Sequence, residues 1–142
     1  MGLIYTYAMF ENRECFQNEN FEMWIYNGIF FVKVLTDHFC LNMAEECVRL
    51  RISLTGQNSY PMLSDSRCVK DFCREAREYL ADKKNTRYLN AGAIVVNSRS
   101  QRIIGNFFIQ INRPNIPSKI FTNEQEALKW LEAYKLKNTK HL

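Results

Sequence analysis

The residues of this sequence that can do the most chemistry are its cysteines and histidines, namely Cys15, Cys40, Cys47, Cys68, Cys73, His38 and His141. The number of cysteines is odd and no Cys-x-x-Cys spacing occurs, a pattern that indicates reduced thiols in a cytoplasmic protein. Cys40 and Cys47 are seven residues apart on a predicted helix, which favours a role as core fillers. With His38 they also offer three metal ligands, but a second ligand pair is missing. We therefore predict no metal and no other cofactor.

A reactive thiol is the enzymatic interpretation of the same residues. Cys68 and Cys73 lie near a predicted helix start with arginines close by, which is a common setting for activated thiols. The histidines do not help, because His38 lies in a predicted loop and His141 in the C-terminal tail. Asp65 has no partner for general acid–base chemistry and is interpreted as a helix cap. We therefore expect no catalytic activity.

A candidate anion site follows a predicted buried strand. In open α/β sheets, ligands bind beyond the carboxyl ends of strands, where helix N-termini present free N–H groups. The predicted ligand-binding residues are Ser98, Arg99, Ser100 and Arg102. They suit a phosphate or a lipid headgroup. The alternative is that Asn97 or Ser98 only caps the helix while both arginines are solvated.

The strand and helix that flank this site are the centre of the predicted fold. Four consecutive apolar residues, 93–96, predict a strand buried on both faces. Apolar residues recur at intervals of three and four in residues 102–111, which predicts a helix packed on that strand. These residues are Ile104, Phe107, Phe108 and Ile111. Gly105 in that helix costs about 1 kcal/mol relative to alanine, which indicates close packing of its backbone against a neighbour.

The N-terminal half begins with a predicted β-hairpin. Asn27-Gly28 separates two β-rich runs in residues 21–35, and this pair favours a type I′ turn. A helix follows, with Asn42 and Glu45 in a capping-box pattern and Gly56 as its C-terminal cap.

Further strands and helices alternate along the rest of the chain. Residues 60–64 predict a strand, and an apolar stripe from Val69 to Leu80 predicts a long amphipathic helix. Residues 118–121 predict a last strand, and Thr122 is the predicted cap of a final helix.

The predicted fold class is α/β. A mixed β-sheet opens with an antiparallel hairpin and continues with alternating helices and strands, and the helices pack on the sheet. Residues 21–136 form a single predicted domain, preceded by an N-terminal arm or edge strand at 1–20 and followed by a frayed tail at 137–142. No apolar run approaches the roughly 18 residues of a membrane span, so we predict none.

The net charge of +4 is mildly basic, and the basic residues are dispersed. Nucleic-acid-binding domains usually show a stronger and more clustered excess. We therefore predict a solvated surface and no nucleic-acid partner.

Several short segments, in order, resemble a known family. They are Asn27-Gly28-Ile29, residues 60–65, residues 75–81, residues 105–108 with 112–114, and residues 121–122 with 127–131. Together they resemble small bacterial proteins of the STAS-like, anti-sigma-factor-antagonist-like fold. Some members of that superfamily are similar to lipid-binding CRAL-TRIO domains. The resemblance implies a STAS-like sheet and a regulatory role.

The resemblance also implies where a phosphorylation switch should be. Anti-sigma-factor antagonists have a phosphorylatable Ser or Thr at the start of the helix that follows an aspartate-ended strand. Asp65 matches that aspartate, but the acceptor position falls at Phe72-Cys73-Arg74, which contains no hydroxyl. We therefore expect no such switch at this position.

Two functions follow from these observations. The first is a non-catalytic regulatory or protein-interaction module with a protein partner or a second copy of the chain, with Trp24, Tyr26 and Tyr88 as candidate contact residues. The second is a domain that binds a small anionic or lipid-like ligand.

Overall fold

The computed structural model describes residues 15–136, which form eight strands and four α-helices. The strands are β1 (Cys15–Gln17), β2 (Phe21–Tyr26), β3 (Ile29–Val34), β4 (His38–Phe39), β5 (Tyr60–Asp65), β6 (Asp71–Phe72), β7 (Leu89–Val95) and β8 (Ser118–Phe121). The helices are α1 (Leu41–Thr55), α2 (Arg74–Ala81), α3 (Arg99–Phe107) and α4 (Glu124–Leu131). Shorter turns are a π-helical turn (Phe108–Asn112) and two 3-10 turns (Lys83–Asn85 and Glu132–Tyr134).

Six strands form one mixed sheet in the order β1-β2-β3-β5-β7-β8. The first three strands pair antiparallel, and β3, β5, β7 and β8 pair parallel. The β2–β3 hairpin turns at Asn27 and Gly28, which have φ values of 52° and 78°, as a type I′ turn requires. The predicted fold class is therefore confirmed.

Helices cover both faces of this sheet. Helix α4 packs its Ala127 and Leu131 on the face that contains Trp24, Phe31 and Leu63. Helices α1 and α2 pack on the opposite face, and α3 lies beside them against β8. Strands buried on both sides need apolar residues at nearly every position, which explains the apolar runs of β3 and β7.

A second sheet, formed by β4 and β6, was not predicted. Its two strands pair parallel, with His38 opposite Asp71 and Phe39 opposite Phe72. The predicted helix that begins at Val69 is therefore wrong in its first turn, because β4 holds residues 71–72 in extended form. Helix α2 begins only at Arg74.

Three predicted helix caps differ from the structure. Cys40, not Asn42, precedes α1 and makes no side-chain cap. Asn123, not Thr122, caps α4 by accepting a hydrogen bond from the backbone N–H of Glu126. Asp65 caps no helix; it accepts hydrogen bonds from Arg67 in the turn after β5.

The helix predicted over 102–111 is present, but it begins earlier and its burial differs. Ile104 is half-buried and Phe108 buried, whereas 47% of Phe107 and 62% of Ile111 is exposed. Ile111 lies in the π-helical turn, which has more residues per turn than an α-helix, so the α-helical period does not predict the side on which it lies. The predicted burial of Phe107 and Ile111 is therefore wrong.

The predicted terminal segments are covered only in part. Strand β1 forms one edge of the sheet, while residues 1–14 of the predicted arm or edge strand and the predicted tail at 137–142 lie outside the described residues. Within residues 15–136, no helix has the length and apolar character needed to cross a bilayer.

Candidate functional site

The turn before α3 places the four predicted ligand-binding residues on the surface. Ser98 is the N-cap, and its hydroxyl accepts a hydrogen bond from the backbone N–H of Gln101 at 3.1 Å. The Gln101 side chain in turn accepts from the backbone N–H of Ser98 at 3.2 Å and donates to the carbonyl of Val69 at 2.6 Å. Ser98 thus completes a capping box, which fixes the start of α3 against the turn before β6.

Arg99, Ser100 and Arg102 point away from that capping box. All three are exposed, and among residues 15–136 neither arginine has a carboxylate partner within ion-pair distance. They lie together on the first turn of α3 without converging on a pocket. Their role in ligand binding stays a prediction.

The outer side of α3 exposes large apolar residues beside these arginines. Ile103, Phe107 and Ile111 follow one another at intervals of four, with 62%, 47% and 62% of each residue exposed. The guanidinium of Arg77 lies 5.3 Å from the centre of the Phe107 ring, so this ring is held by a cation–π contact. We call the surface formed by Arg99, Arg102, Ile103, Phe107 and Ile111 the α3 face.

The α3 face belongs to a long segment without acidic residues. Between Lys83 and Asn123 the sequence has no Asp or Glu, and it has seven basic residues, which are Lys83, Lys84, Arg87, Arg99, Arg102, Arg113 and Lys119. The positive charge is therefore separated from the acidic residues along the chain. The α3 face is both apolar and basic.

The aromatic contact residues proposed from the sequence are less exposed than those of α3. Trp24 is buried and stacks on Phe31 with ring centres 5.2 Å apart. Tyr26 is 36% exposed at the end of the hairpin, and Tyr88 is half-buried. Trp24 is therefore a core residue, and its predicted contact role is wrong.

A cavity of about 140 Å³ lies between the sheet and helices α1 and α3. Its lining is mostly apolar and includes Val32, Val48, Met62, Ile94, Ile104 and Phe108.

Arg51 of α1 also lines this cavity and is only 2% exposed. The Arg51 guanidinium donates hydrogen bonds to the carbonyls of Asn85 and Arg87, both at 2.9 Å. Burial lowers the pKa of Arg51 to about 10, and the side chain remains a cation at neutral pH.

An ion pair closes the turn after β5. Asp65 Oδ2 accepts from Arg67 Nη2 at 2.8 Å, and Asp65 Oδ1 accepts from Arg67 Nε at 2.9 Å. Burial alone would raise the pKa of Asp65, but the hydrogen bonds and the charge of Arg67 outweigh it and hold that pKa below its usual value. Glu124 lies 3.5 Å from the same guanidinium. The Arg67 guanidinium therefore pairs with two carboxylates, those of Asp65 and Glu124.

The β4–β6 sheet brings Asp71 and Cys73 next to His38 and Cys40, a pair that spacing along the chain grouped with Cys47 instead. Cys40 and Cys73 directly follow the paired strands, with Cα atoms 4.8 Å apart, and a disulfide joins them. His38 Nε2 lies 3.4 Å from Cys40 Sγ, and His38 Nδ1 lies 3.0 Å from Asp71 Oδ2. We call His38, Cys40, Asp71 and Cys73 the cysteine–histidine cluster.

The cysteine–histidine cluster corrects two interpretations of the cysteines. The pairing of Cys40 with Cys73 differs from the prediction that all thiols are reduced. Cys47, which was grouped with Cys40 and His38 as a metal-ligand alternative, lines the cavity instead. Burial raises the pKa of Cys47 to about 12. The sequence signal that was missed is a repeated Phe-Cys pair, Phe39-Cys40 and Phe72-Cys73, each preceding a helix.

A comparison with known protein families identifies the family of this chain. The model of the family described as Domain of unknown function (DUF7793) matches residues 23–135. The chain belongs to this family. No curated protein matches the DUF7793 chain.

A solved structure confirms the predicted STAS-like fold. The DUF7793 chain is similar to an uncharacterized protein of the DUF3478 family with a SpoIIAA-like fold from Shewanella loihica PV-4. The identity is 16%, the TM-score is 0.54, and the match covers 84% of this chain and 91% of that one. At this identity the likeness shows the fold of the DUF7793 chain and nothing about its activity.

Proposed function

We propose that this DUF7793 domain is a non-catalytic interaction module that binds an acidic, partly apolar segment of another protein on its α3 face. The observation that supports this is the line of exposed Ile103, Phe107 and Ile111 beside Arg99 and Arg102. Large apolar groups in one exposed line are uncommon on surfaces that meet only water.

The apolar part of the α3 face supplies affinity. Each side chain removed from water by a partner contributes roughly 25 cal/mol per Å² of apolar area. Residues spaced at i, i+4 and i+8 form one ridge, which suits a helix or an extended segment laid along α3. Phe107 is already held by Arg77, so little side-chain freedom is lost when it binds.

The basic part of the α3 face specifies the partner. Arg99 and Arg102 have no acidic residue near them along the chain, and they would attract carboxylates and steer association. A second copy of this chain would bring the same basic surface against itself, which like-charge repulsion disfavours. An acidic segment of a different protein is therefore the favoured partner, and the residues predicted to bind an anion serve to bind its carboxylates.

The experiment is a selection from a displayed library of helical peptides that vary in charge and apolar pattern. Wild-type protein is expected to enrich peptides with acidic residues beside an apolar stripe. The charge-reversed variant Arg99→Glu/Arg102→Glu is expected to lose them, and so is Ile103→Ser/Ile111→Ser. The matched control is Lys83→Glu/Lys84→Glu, which makes the same change of charge at two exposed residues of another turn.

Further measurements distinguish a protein partner on the α3 face from other binding partners. If no peptide is enriched, but the protein co-sediments with anionic phospholipid vesicles and Arg99→Glu/Arg102→Glu abolishes this, the partner is a membrane surface and not a protein. If the protein self-associates in sedimentation and Ile103→Ser/Ile111→Ser abolishes this, the partner is a second copy of the chain. Peptide enrichment that the control variant loses equally would contradict the assignment to α3.

The cavity favours a second candidate function, binding of a small amphiphile with one negative charge. The cavity of about 140 Å³ has a mostly apolar lining, which would favour burial of the apolar chain of such an amphiphile. Arg51 supplies a buried cation with no carboxylate partner among residues 15–136, since its guanidinium donates its hydrogen bonds to backbone carbonyls. A short-chain carboxylate fits both features.

Thermal unfolding with hexanoate, and with hexanol as the uncharged match, tests the amphiphile. Hexanoate is expected to raise the unfolding temperature more than hexanol does. Val48→Phe, which fills the cavity, is expected to remove the effect, whereas Leu41→Phe on the exposed side of α1 keeps it. Equal responses of wild type and Val48→Phe would rule this cavity out as the binding site.

A further inference from the structure

The ligand atoms of the cysteine–histidine cluster converge on one point. The nitrogen of His38 and the sulfur atoms of Cys40 and Cys73 all lie within 4.8 Å of one another. A tetrahedral zinc ion binds nitrogen at about 2.0 Å and sulfur at about 2.3 Å, so ligands of one ion must be this close. Two thiolates and one imidazole are a ligand set that selects zinc over hard cations.

The backbone explains why these atoms meet. In the β4–β6 pairing His38 lies opposite Asp71 and Phe39 opposite Phe72, and Cys40 and Cys73 continue that register at 4.8 Å between Cα atoms. The backbone N–H of Cys73 donates to the carbonyl of Phe39 at 3.0 Å, which holds the two strand ends together. Main-chain hydrogen bonds therefore hold the two strand ends together in addition to the bond between the sulfur atoms.

His38 is oriented as a metal ligand. An ionised Asp71 can only accept hydrogen bonds, so the hydrogen of neutral His38 lies on Nδ1, 3.0 Å from Asp71 Oδ2. The lone pair of Nε2 then faces Cys40 Sγ at 3.4 Å. A carboxylate behind a histidine is the usual outer partner of a zinc-bound imidazole, since it fixes the tautomer and the ring orientation.

The surroundings of the sulfur atoms suit thiolates and allow a metal to enter. Cys40 and Cys73 precede α1 and α2, and the N-terminus of a helix favours negative charge. The side chains of His38 and Asp71 are 64% and 68% exposed. An ion can therefore reach the cluster from solvent, and water can occupy a fourth coordination position.

We propose that, in the reduced protein, His38, Cys40 and Cys73 bind one Zn²⁺ ion, with Asp71 as the residue that positions His38. A thiol or phosphine reductant first supplies two electrons to the disulfide, and each sulfur atom takes up one proton. Each thiol then releases its proton to solvent as its sulfur forms a bond to the metal. The disulfide and the metal complex exclude each other, because both use the same two sulfur atoms. The site requires a reducing compartment, in agreement with the cytoplasmic location predicted from the sequence.

The test uses Co²⁺ as a spectroscopic probe on full-length protein, reduced with a phosphine and freed of metal. Titration is expected to give the thiolate-to-cobalt charge-transfer band at one ion per chain, and Zn²⁺ is expected to displace it. Cys40→Ser and Cys73→Ser are expected to remove the band. Asp71→Asn is expected to weaken binding about 10- to 100-fold, whereas Cys68→Ser, at an exposed free cysteine, leaves it unchanged.

The oxidised wild-type protein is a control that does not depend on the folding of a variant. It has the same sequence and retains the exposed thiols of Cys15 and Cys68, but its Cys40 and Cys73 are joined. It is expected to bind no Co²⁺ through sulfur. A thiolate band in the oxidised protein, a band that Cys68→Ser removes, or no band in the reduced protein would overturn the proposal.

Discussion

The backbone of Gly105 in α3 lies directly against the side chain of Ile120 in β8. A Cβ atom on Gly105 would be 2.6 Å from Ile120 Cδ1 and 3.2 Å from Ile120 Cγ1. The close packing that a glycine within a helical pattern predicts is therefore confirmed. This contact sets the distance of α3 from the sheet, and with it the width of the cavity and the position of the α3 face.

Replacement of Gly105 by alanine is the direct test of this contact. In an open helix the change would stabilise the protein by about 1 kcal/mol. Here we expect Gly105→Ala to be neutral or destabilising by about 1 kcal/mol in urea unfolding, because Ile120 must move. Combination with Ile120→Val, which removes Cδ1, is expected to recover the gain relative to Ile120→Val alone. Additive effects of the two changes would contradict the contact.

Arg51 joins α1 to the segment between α2 and β7. Its two hydrogen bonds, to the carbonyls of Asn85 and Arg87, are made by a buried charged group, and such bonds contribute about 1.5 to 3 kcal/mol each when a partner is removed. Arg51→Met is therefore expected to lower the free energy of unfolding by about 2 kcal/mol or more. Arg49→Met, on the exposed side of the same helix, is the control and is expected to change it by less than about 0.5 kcal/mol. Similar losses in both variants would contradict the structural role of Arg51.

The Asp65–Arg67 pair makes stability depend on pH at acidic values. The pKa of folded Asp65 lies below its ordinary value of 3.8, so its contribution is complete above that value and is lost as the pH falls through the folded pKa. At neutral pH, Asp65→Asn is expected to be less stable than wild type by about 1 kcal/mol. This difference is expected to shrink as the pH falls below 3.8 and through the lower folded pKa. A constant difference would show that ionisation of Asp65 is not involved, and Glu78→Gln, in an exposed pair with Arg74, provides the baseline.

Local signals in the sequence were sufficient for most of the fold. The turn at Asn27 and Gly28 needs only its own two residues to adopt positive φ, and the apolar run that becomes β7 needs only burial on both faces. The start of α2 could not be predicted in the same way. Val69 fits the helical stripe, but residues 71–72 pair with β4, and that partner lies 33 residues away in the chain.

The candidate sites also depend on contacts between distant parts of the chain, which the sequence pattern could not predict. Periodicity placed Phe107 and Ile111 on an apolar face of a helix, but it could not show that Gly105, Ile104 and Phe108 occupy the contact with the sheet. The α3 face is exposed for that reason. The cysteine–histidine cluster depends on the register of two short strands, and spacing along the chain led instead to Cys47, which points into the cavity.

The five cysteines are expected to react with iodoacetamide in three steps, two in the native protein, two more after reduction, and the last after unfolding. Cys15 and Cys68 are exposed and free, so they react first. Cys40 and Cys73 become available only when their disulfide is reduced. Burial raises the pKa of Cys47 to about 12, which lowers the fraction of reactive thiolate at pH 8, so we expect Cys47 to be alkylated last, in urea.

Intact mass and peptide mapping follow this order. Cys47→Ser is the control, since it is expected to remove the third step and leave the first two unchanged. Modification of Cys47 as fast as that of Cys15 and Cys68 would contradict its burial, and labels mapped to Cys40 and Cys73 before reduction would show that these two residues are free thiols in the isolated protein. That last outcome would bear directly on the zinc proposal, because the ligands would then be ready to bind metal without a reductant.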